Sequence, residues 1–395
     1  MRKILITRFP LESAWGGEEE LHLLMAKLWR KNGIAGELIS SAPELKQAFQ
    51  ENDFTTFSEF QKDITSKKSL IFSILFAPLF VLRGIFWVLY FRFIRKVDAI
   101  LMLTLIEKIC WTPLARLFGI TVYWGHHAPL GKWFFQNPYL PLWRLWLKIF
   151  AIKIMVPSKF LAAELRAVVP KPEQVVVLQN AFDPSKFFVQ TSNISVRESL
   201  ARIITEKTGK IRELKYFFLV GTANRLSPEK GMEQVLRATQ DLKQRGYQNI
   251  LFLAAGTGPL QNELQKKAKE LELQENFLFL GFLENSELAL FYEALDLFLL
   301  ASRHEPFGIA LLEAMYFQKA IAASNIDGIP EVLGETNSGL FDPENPEALA
   351  NKIEEFARDH KLLQQCQQEN FQRFEKHFSL AAFEQKLLHT FCAQN

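Results

Sequence analysis

Strand and helix alternate through the second half of the chain without a hairpin signal, and that alternation limits the fold more than any other feature. KYFFLVGT (215–222) is an aromatic and β-branched run that reaches Gly221. SPEKGMEQVLRATQDLKQRG (227–246) opens on Ser-Pro-Glu and closes on Gly246, the punctuation of a helix. NILFLAAGTG (249–258), the helix PLQNELQKKAKELEL, NFLFLGFL (276–283), the helix SELALFYEAL and the strand DLFLLAS (296–302) repeat the unit. Strands joined this way pair in parallel, with helices on both faces of the sheet. The first half is similar but less clean. RKILITRF (2–9) leads through Gly16-Gly17 into the helix EEELHLLMAKLWRKNG. VDAILML (97–103), ITVYWGHH (120–127) and KIMVPS (153–158) are further strand candidates, and QVVVLQNAFDPSKF (174–187) ends a strand at Asp183-Pro184, a candidate hinge. With 395 residues the chain has room for two domains. The expectation is an α/β protein of two doubly wound, Rossmann-like domains facing a central cleft, with ligands beyond the carboxyl ends of the strands.

Composition excludes several classes. A hydrophobic fraction of 49% with 23% charged residues belongs to a globular chain with large cores. Cys110, Cys366 and Cys392 lie far apart, which argues against a disulfide framework or structural zinc and fits a reducing compartment. MRKILITRFP turns polar too soon for a secretory signal and reads as a first strand, so the cytoplasm is the default address.

Charge is unevenly spread. Ile64 to Ala163 hold 13 Lys/Arg and only two acids, Asp98 and Glu107, and all eight tryptophans fall between Trp15 and Trp146. Such a half predicts a partner that is negatively charged and partly apolar. The longest uncharged apolar run, SLIFSILFAPLFVL (69–82), has 14 residues, fewer than the roughly 20 a spanning helix needs, and Pro78 interrupts it. GIFWVLYF (84–91) and RFIRK follow. A helix lying in a membrane interface accounts for this pattern, and a buried crossover helix is the alternative. Long aliphatic runs serve no phosphate backbone, so nucleic acid is not the expected partner.

Residues 302–315, SRHEPFGIALLEAM, carry the chemistry. Pro306 is favoured at a first helical position and forces Glu305 out of the α region, at the end of the preceding strand. The N–H groups of Phe307, Gly308 and Ile309 then form an anion site at a helix start, where Gly308 lets a ligand approach the backbone. Glu313, one turn beyond Ile309, is suited to a sugar diol. Arg225 and Lys230, in NRLSPEKG, sit past a strand end and at a helix start, where two cations meet a diphosphate with charge-assisted bonds. His126 stands at the end of ITVYWGHH, with His127 as the other candidate.

Glu305-Pro-Phe-Gly-Ile-Ala-Leu-Leu-Glu313 resembles the Glu, seven residues, Glu motif of retaining glycosyltransferases of family 4, which have the GT-B fold. Gly16-Gly17-Glu18 resembles the family's N-terminal glycine loop, and His126 or His127 its N-domain histidine. VPSKFLAAEL (156–165), Asn180-Ala181-Phe182-Asp183, Asn224-Arg225-Leu226 with Lys230-Gly231, Gly256-Thr257-Gly258-Pro259 and Gly328-Ile329-Pro330-Glu331 follow in the family's order. Ala181 stands where the family has glycine, and Asp327-Gly328 supplies one of two commonly paired glycines.

The resemblance implies an N-terminal acceptor-binding domain over 1–183, which the basic and aromatic pattern marks as membrane-associating. It implies a nucleotide-sugar-binding domain over 184–376 and a C-terminal helix, 377–395, that packs back on the first. It further implies a retaining hexosyltransferase. Arg225, Lys230, Gly16, Gly17, Phe307, Gly308, Ile309 and Glu313 bind the donor. Glu305, His126, Arg225 and Lys230 are the catalytic set, with His126 on the donor sugar. No strand end shows an acidic pair of metal-ligand spacing, so no metal and no cofactor beyond the nucleotide-sugar donor is expected. The expected acceptor is a lipid-linked glycan or lipopolysaccharide core, reached from a peripheral position on the cytoplasmic face of the inner membrane. A sugar-nucleotide epimerase or phosphorylase on the same scaffold, or a catalytically silent membrane-bound scaffold, are the alternatives.

Overall fold

A computed structural model describes residues 2–9, 16–59, 76–187, 195–210 and 213–392. The chain divides into two compact units, Met1–Asn180 with Glu384–Asn395, and Ala181–Phe383.

The N-terminal unit is built on seven parallel strands: β1 (Lys3–Arg8), β2 (Ala35–Ser40), β3 (Thr55–Ser58), β4 (Ala99–Met102), β5 (Thr121–Gly125), β6 (Lys153–Val156) and β7 (Val175–Val177). Their order is β3-β2-β1-β4-β5-β6-β7. Sequence reading finds β1 and β4 to β7 but passes over β2 and β3. AGELIS carries a glycine and a glutamate that mask its strand character. Glu37 is nonetheless buried, because Lys3 lies 3.2 Å and Arg95 2.6 Å from its Oε1. The helix Leu380–Cys392 completes this unit. Phe391 is fully buried and packs edge-on to Trp29 at 4.9 Å and against Tyr123 at 4.4 Å between ring centroids.

The C-terminal unit holds β8 (Phe218–Ala223), β9 (Ile250–Ala255), β10 (Phe277–Gly281), β11 (Leu297–Leu300), β12 (Ala320–Ser324) and β13 (Leu340–Phe341), all parallel, in the order β10-β9-β8-β11-β12-β13. Period-2 alternation explains why β9 reads as a solid apolar run. Leu251, Leu253 and Ala255 enter the core on one face, and Ile250, Phe252 and Ala254 the core on the other. β12, AIAAS, escapes sequence reading because its small residues carry little β signal.

Two helix starts differ from expectation. The helix after β8 begins at Met232, not at Ser227; Pro228–Lys230 form a separate single turn. The helix after β11 begins at Ile309, not at Pro306. In both cases a glycine at positive φ, Gly231 at 65° and Gly308 at 89°, interrupts the helical path.

In the N-terminal unit the helix Ala77–Leu89 turns Phe80 and Val88 inward. Leu79, Leu82 and Phe86, spaced for one helix face, are 46%, 64% and 60% exposed. The helix Leu140–Ile149 presents Leu142, Leu145 and Ile149 outward in the same way. Both lean on the short helix Leu105–Cys110, through Phe80 on Ile106 and the Trp146 indole donating to the Ile109 carbonyl at 3.0 Å. Among the described residues no helix is long and apolar enough to cross a membrane. The stretch 60–75, which includes SLIFSIL, lies outside the described residues.

Candidate active site

In the C-terminal unit the loops after β8, β11 and β12 are locked together by backbone contacts. A Cβ on Gly231 would lie 1.9 Å from the Ala301 carbonyl oxygen, and one on Gly328 would lie 2.1 Å from that of Pro306. Only glycine lets these segments touch. The Arg303 amide also donates to the Glu229 carbonyl at 2.7 Å. The result brings Lys230 Nζ to 2.7 Å from Glu305 Oε2, with side chains 20% and 12% exposed. Glu305 lies not at the end of β11, as the sequence suggests, but five residues beyond it.

Glu305 is held on both sides of its backbone. Its amide donates to the Asp327 carboxylate at 2.9 Å, and its carbonyl accepts from the Gly328 amide at 3.1 Å. Asp327 occupies the position where a second glycine was expected, and it adopts φ 47° as a glycine would. Aspartate tolerates this region, and here its side chain ties the loop that carries Glu305. The amides of Phe307, Gly308 and Ile309 donate no hydrogen bond among the described residues. They precede the helix Ile309–Tyr316, so orphan donors and the positive end of a helix dipole stand beside the Lys230–Glu305 pair. Arg225 is exposed, and its guanidinium makes no hydrogen bond among the described residues. The arrangement is chemically suited to a polyanion.

Glu313 is drawn into the fold more than the sequence suggests. It is 8% exposed, accepts the Tyr292 hydroxyl at 2.6 Å and lies 3.5 Å from Lys186 Nζ. Burial first, and then the Glu313 charge, push the Tyr292 phenol well above its usual range, so it remains a donor. Glu313→Ala is expected to leave that hydroxyl unpaired and to destabilise the unit by about 1–3 kcal/mol. A thermal melt checks this; an unchanged midpoint would show that Glu313 has no structural part.

In the N-terminal unit, Gly16 is extended at φ −160° and precedes the helix Gly17–Lys31, whose first turn carries Glu18, Glu19 and Glu20. Arg8, at the end of β1, lies 3.1 Å from both Glu18 and Glu19. His126 directly follows β5; its amide donates to the Met155 carbonyl at 2.9 Å, and its Nε2 is enclosed with no hydrogen-bond partner. Burial first, then Lys108, push the His126 imidazole down to about 3, so it is neutral at physiological pH. Two residues that sequence reading missed fix this loop. Lys108 donates to the carbonyls of Leu103 at 3.1 Å and Gly125 at 2.6 Å, clamping the ends of β4 and β5. Glu107 accepts from the Thr7 hydroxyl at 3.0 Å and the Thr104 amide at 2.7 Å. The Thr104-Leu-Ile-Glu107 spacing of a capping box was the signal that could have found Glu107.

Residues 203–373 match the family described as glycosyl transferases group 1. An uncharacterized glycosyltransferase of Methanocaldococcus jannaschii is 28% identical over 212 residues, 52% of this chain and 51% of that protein. The alpha-monoglucosyldiacylglycerol synthase of Streptococcus pneumoniae is 39% identical over 93 residues, 23% of this chain and 21% of that one. The chain thus spans about half or less of the length of these relatives. Anabaena HepE in complex with UDP superposes with a TM-score of 0.77 and 20% identity over 100% of both chains. The chain has the GT-B fold, and the part of it that matches the glycosyl transferases group 1 family is residues 203–373, which hold Arg225, Lys230, Glu305 and Glu313.

Proposed function

We propose that the chain is a retaining glycosyltransferase that moves a sugar from a nucleoside-diphosphate sugar to a glycan or lipid-linked acceptor, with no required metal or cofactor. The observation that carries this reading is the Lys230–Glu305 pair at 2.7 Å beside the undonated amides of Phe307, Gly308 and Ile309. Lys230, Arg225 and those amides stabilise the diphosphate as its bond to the anomeric carbon breaks. The acceptor oxygen attacks from the same face, and its proton passes to the departing phosphate oxygen. Glu305, bound by Lys230, orients the sugar rather than attacking it. Glu313 steadies the helix behind them. His126 and the Gly16-Gly17 amides serve the donor, as the family resemblance implies. The test is a panel of UDP, GDP and ADP sugars. A ligand at 100 times its Kd adds about 2.7 kcal/mol of stability, and nucleoside diphosphate should appear only when acceptor is added. No stabilisation by any donor, together with no acceptor-dependent release, would end the proposal. The UDP complex of Anabaena HepE supports testing UDP sugars first.

The acceptor side is proposed to be a membrane surface on its cytoplasmic face. The outward stripes Leu79/Leu82/Phe86 and Leu142/Leu145/Ile149 support this, as does the likeness to the pneumococcal alpha-monoglucosyldiacylglycerol synthase. The basic contribution is narrower than the sequence suggests. Arg83 pairs with Glu59 and Arg95 with Glu37, so both charges are partly answered within the unit. Arg92, Lys96, Arg144 and Lys148 make no ion pair among the described residues. Each is worth about 1 kcal/mol near an anionic bilayer. Reversing all four to Glu is expected to abolish flotation with anionic liposomes at low salt while leaving the melt unchanged. Equal recovery of both proteins in the soluble fraction would remove the membrane claim.

A further inference from the structure

In the N-terminal unit three side chains gather at the start of the helix Gly17–Lys31. Glu18 and His22, four residues apart, share one face of it. His127 comes in from the loop after β5. One ligand-capable atom of each lies within 4.8 Å of the others. His22 is 1% exposed, its ring meets that of His127 edge-on at 5.7 Å, and its Nδ1 is enclosed without a hydrogen-bond partner. A buried nitrogen left without a partner is destabilising. A helix that needed only packing at this position would carry an aliphatic residue.

We propose that Glu18, His22 and His127 form a binding site for a borderline divalent metal ion of the Zn2+ class, with two imidazole nitrogens and one carboxylate oxygen as ligands. The donor set selects the metal. Imidazole suits zinc and its neighbours, whereas magnesium and calcium seek oxygen-only shells. Two histidines and a glutamate leave a fourth position open to water or an exchangeable ligand. Arg8 Nη2 engages Oε2 of Glu18 at 3.1 Å, which orients the carboxylate. Zinc–nitrogen bonds of about 2.0–2.1 Å put tetrahedral ligands roughly 3.4 Å apart, so the three atoms draw in by about an ångström. Glu18 and His127, both half-buried, supply that movement while His22 stays fixed.

The test reads metal binding directly and does not depend on the transfer reaction. The full chain, stripped with chelator, is titrated with Zn2+ by calorimetry and with Co2+ by visible absorption. One ion per chain, the intense d–d bands of tetrahedral Co2+ and a Zn2+-dependent rise in Tm are expected. His127→Ala and Glu18→Gln should each weaken Zn2+ binding by about 100-fold and remove the bands. His22→Ala should do the same; should it fail to fold, the two half-buried positions carry the test. Absence of binding to the wild type, equal affinity in the variants, or an octahedral Co2+ spectrum would each overturn the proposal.

Discussion

Lys230→Ala is expected to lower transfer about 100-fold, a loss of ~3 kcal/mol at the leaving diphosphate. Lys230 is the cation that the loop contacts deliver to the helix start, 2.7 Å from Glu305. Removing it takes away a charge from the departing phosphate and leaves the Glu305 carboxylate, 12% exposed, without its partner. An unpaired carboxylate also repels the incoming diphosphate, so donor affinity should fall together with turnover. Lys230→Arg keeps the charge and should retain more activity than Lys230→Ala, although the fork of arginine does not reproduce a point cation. Steady-state kinetics at varied donor concentration give the answer. Near-native turnover in Lys230→Ala would remove Lys230 from the machinery. Arg225→Ala should show a loss of similar size without any change in Tm, because the exposed Arg225 supports nothing else in the fold.

Gly231→Ala is expected to be as damaging by a different route. Gly231 combines φ 65° with a backbone oxygen, that of Ala301, 1.9 Å from where a Cβ would stand. No rotamer change relieves a clash with a carbonyl. Either the turn bearing Lys230 or the loop leading to Glu305 must move, and the ion pair opens. A cost of about 2–4 kcal/mol follows, which in a unit of this size lowers Tm by roughly 5–15 °C, together with most of the transfer activity. Gly246 provides the control, since its φ of 94° is similar but nothing lies within 4 Å of a Cβ there. Gly246→Ala should cost only the backbone strain. Equal losses at the two sites would show that the contact with Ala301 is unimportant.

The parallel, doubly wound architecture was legible because β8 to β11 are each apolar on both faces and separated by punctuated helices. β2 and β12 were not, for opposite reasons. β2 hides a buried glutamate whose cost is met by Lys3 and Arg95 from distant parts of the chain, and β12 is nearly all alanine and serine. In the site, the residues Glu305, Lys230 and the glycines around them stood out by type and spacing. Their mutual distances did not, because both helix starts are displaced by glycines at positive φ. Asp327 was read as a departure from a glycine pair. Only the fold shows that it keeps the backbone conformation of glycine and adds a hydrogen bond to Glu305. Glu313 read as an open ligand, whereas Tyr292, 21 residues earlier, holds it inside the unit. Glu18 and His127 were each noted in the sequence but not joined with His22, because His127 lies a hundred residues away and comes close to the first helix only in the folded sheet.

The helix Leu380–Cys392 has a consequence for how the chain is made. A ribosome delivers β1 to β7 first, yet Trp29 and Tyr123 wait for Phe391, which leaves the exit tunnel after every other strand and helix. Domains generally form in the order they are synthesised, but here the N-terminal unit closes only after all of Ala181–Phe383 has been made. Throughout translation it carries an uncovered aromatic face, and a nascent chain stalled anywhere before Glu384 presents that face to whatever binds exposed apolar surface.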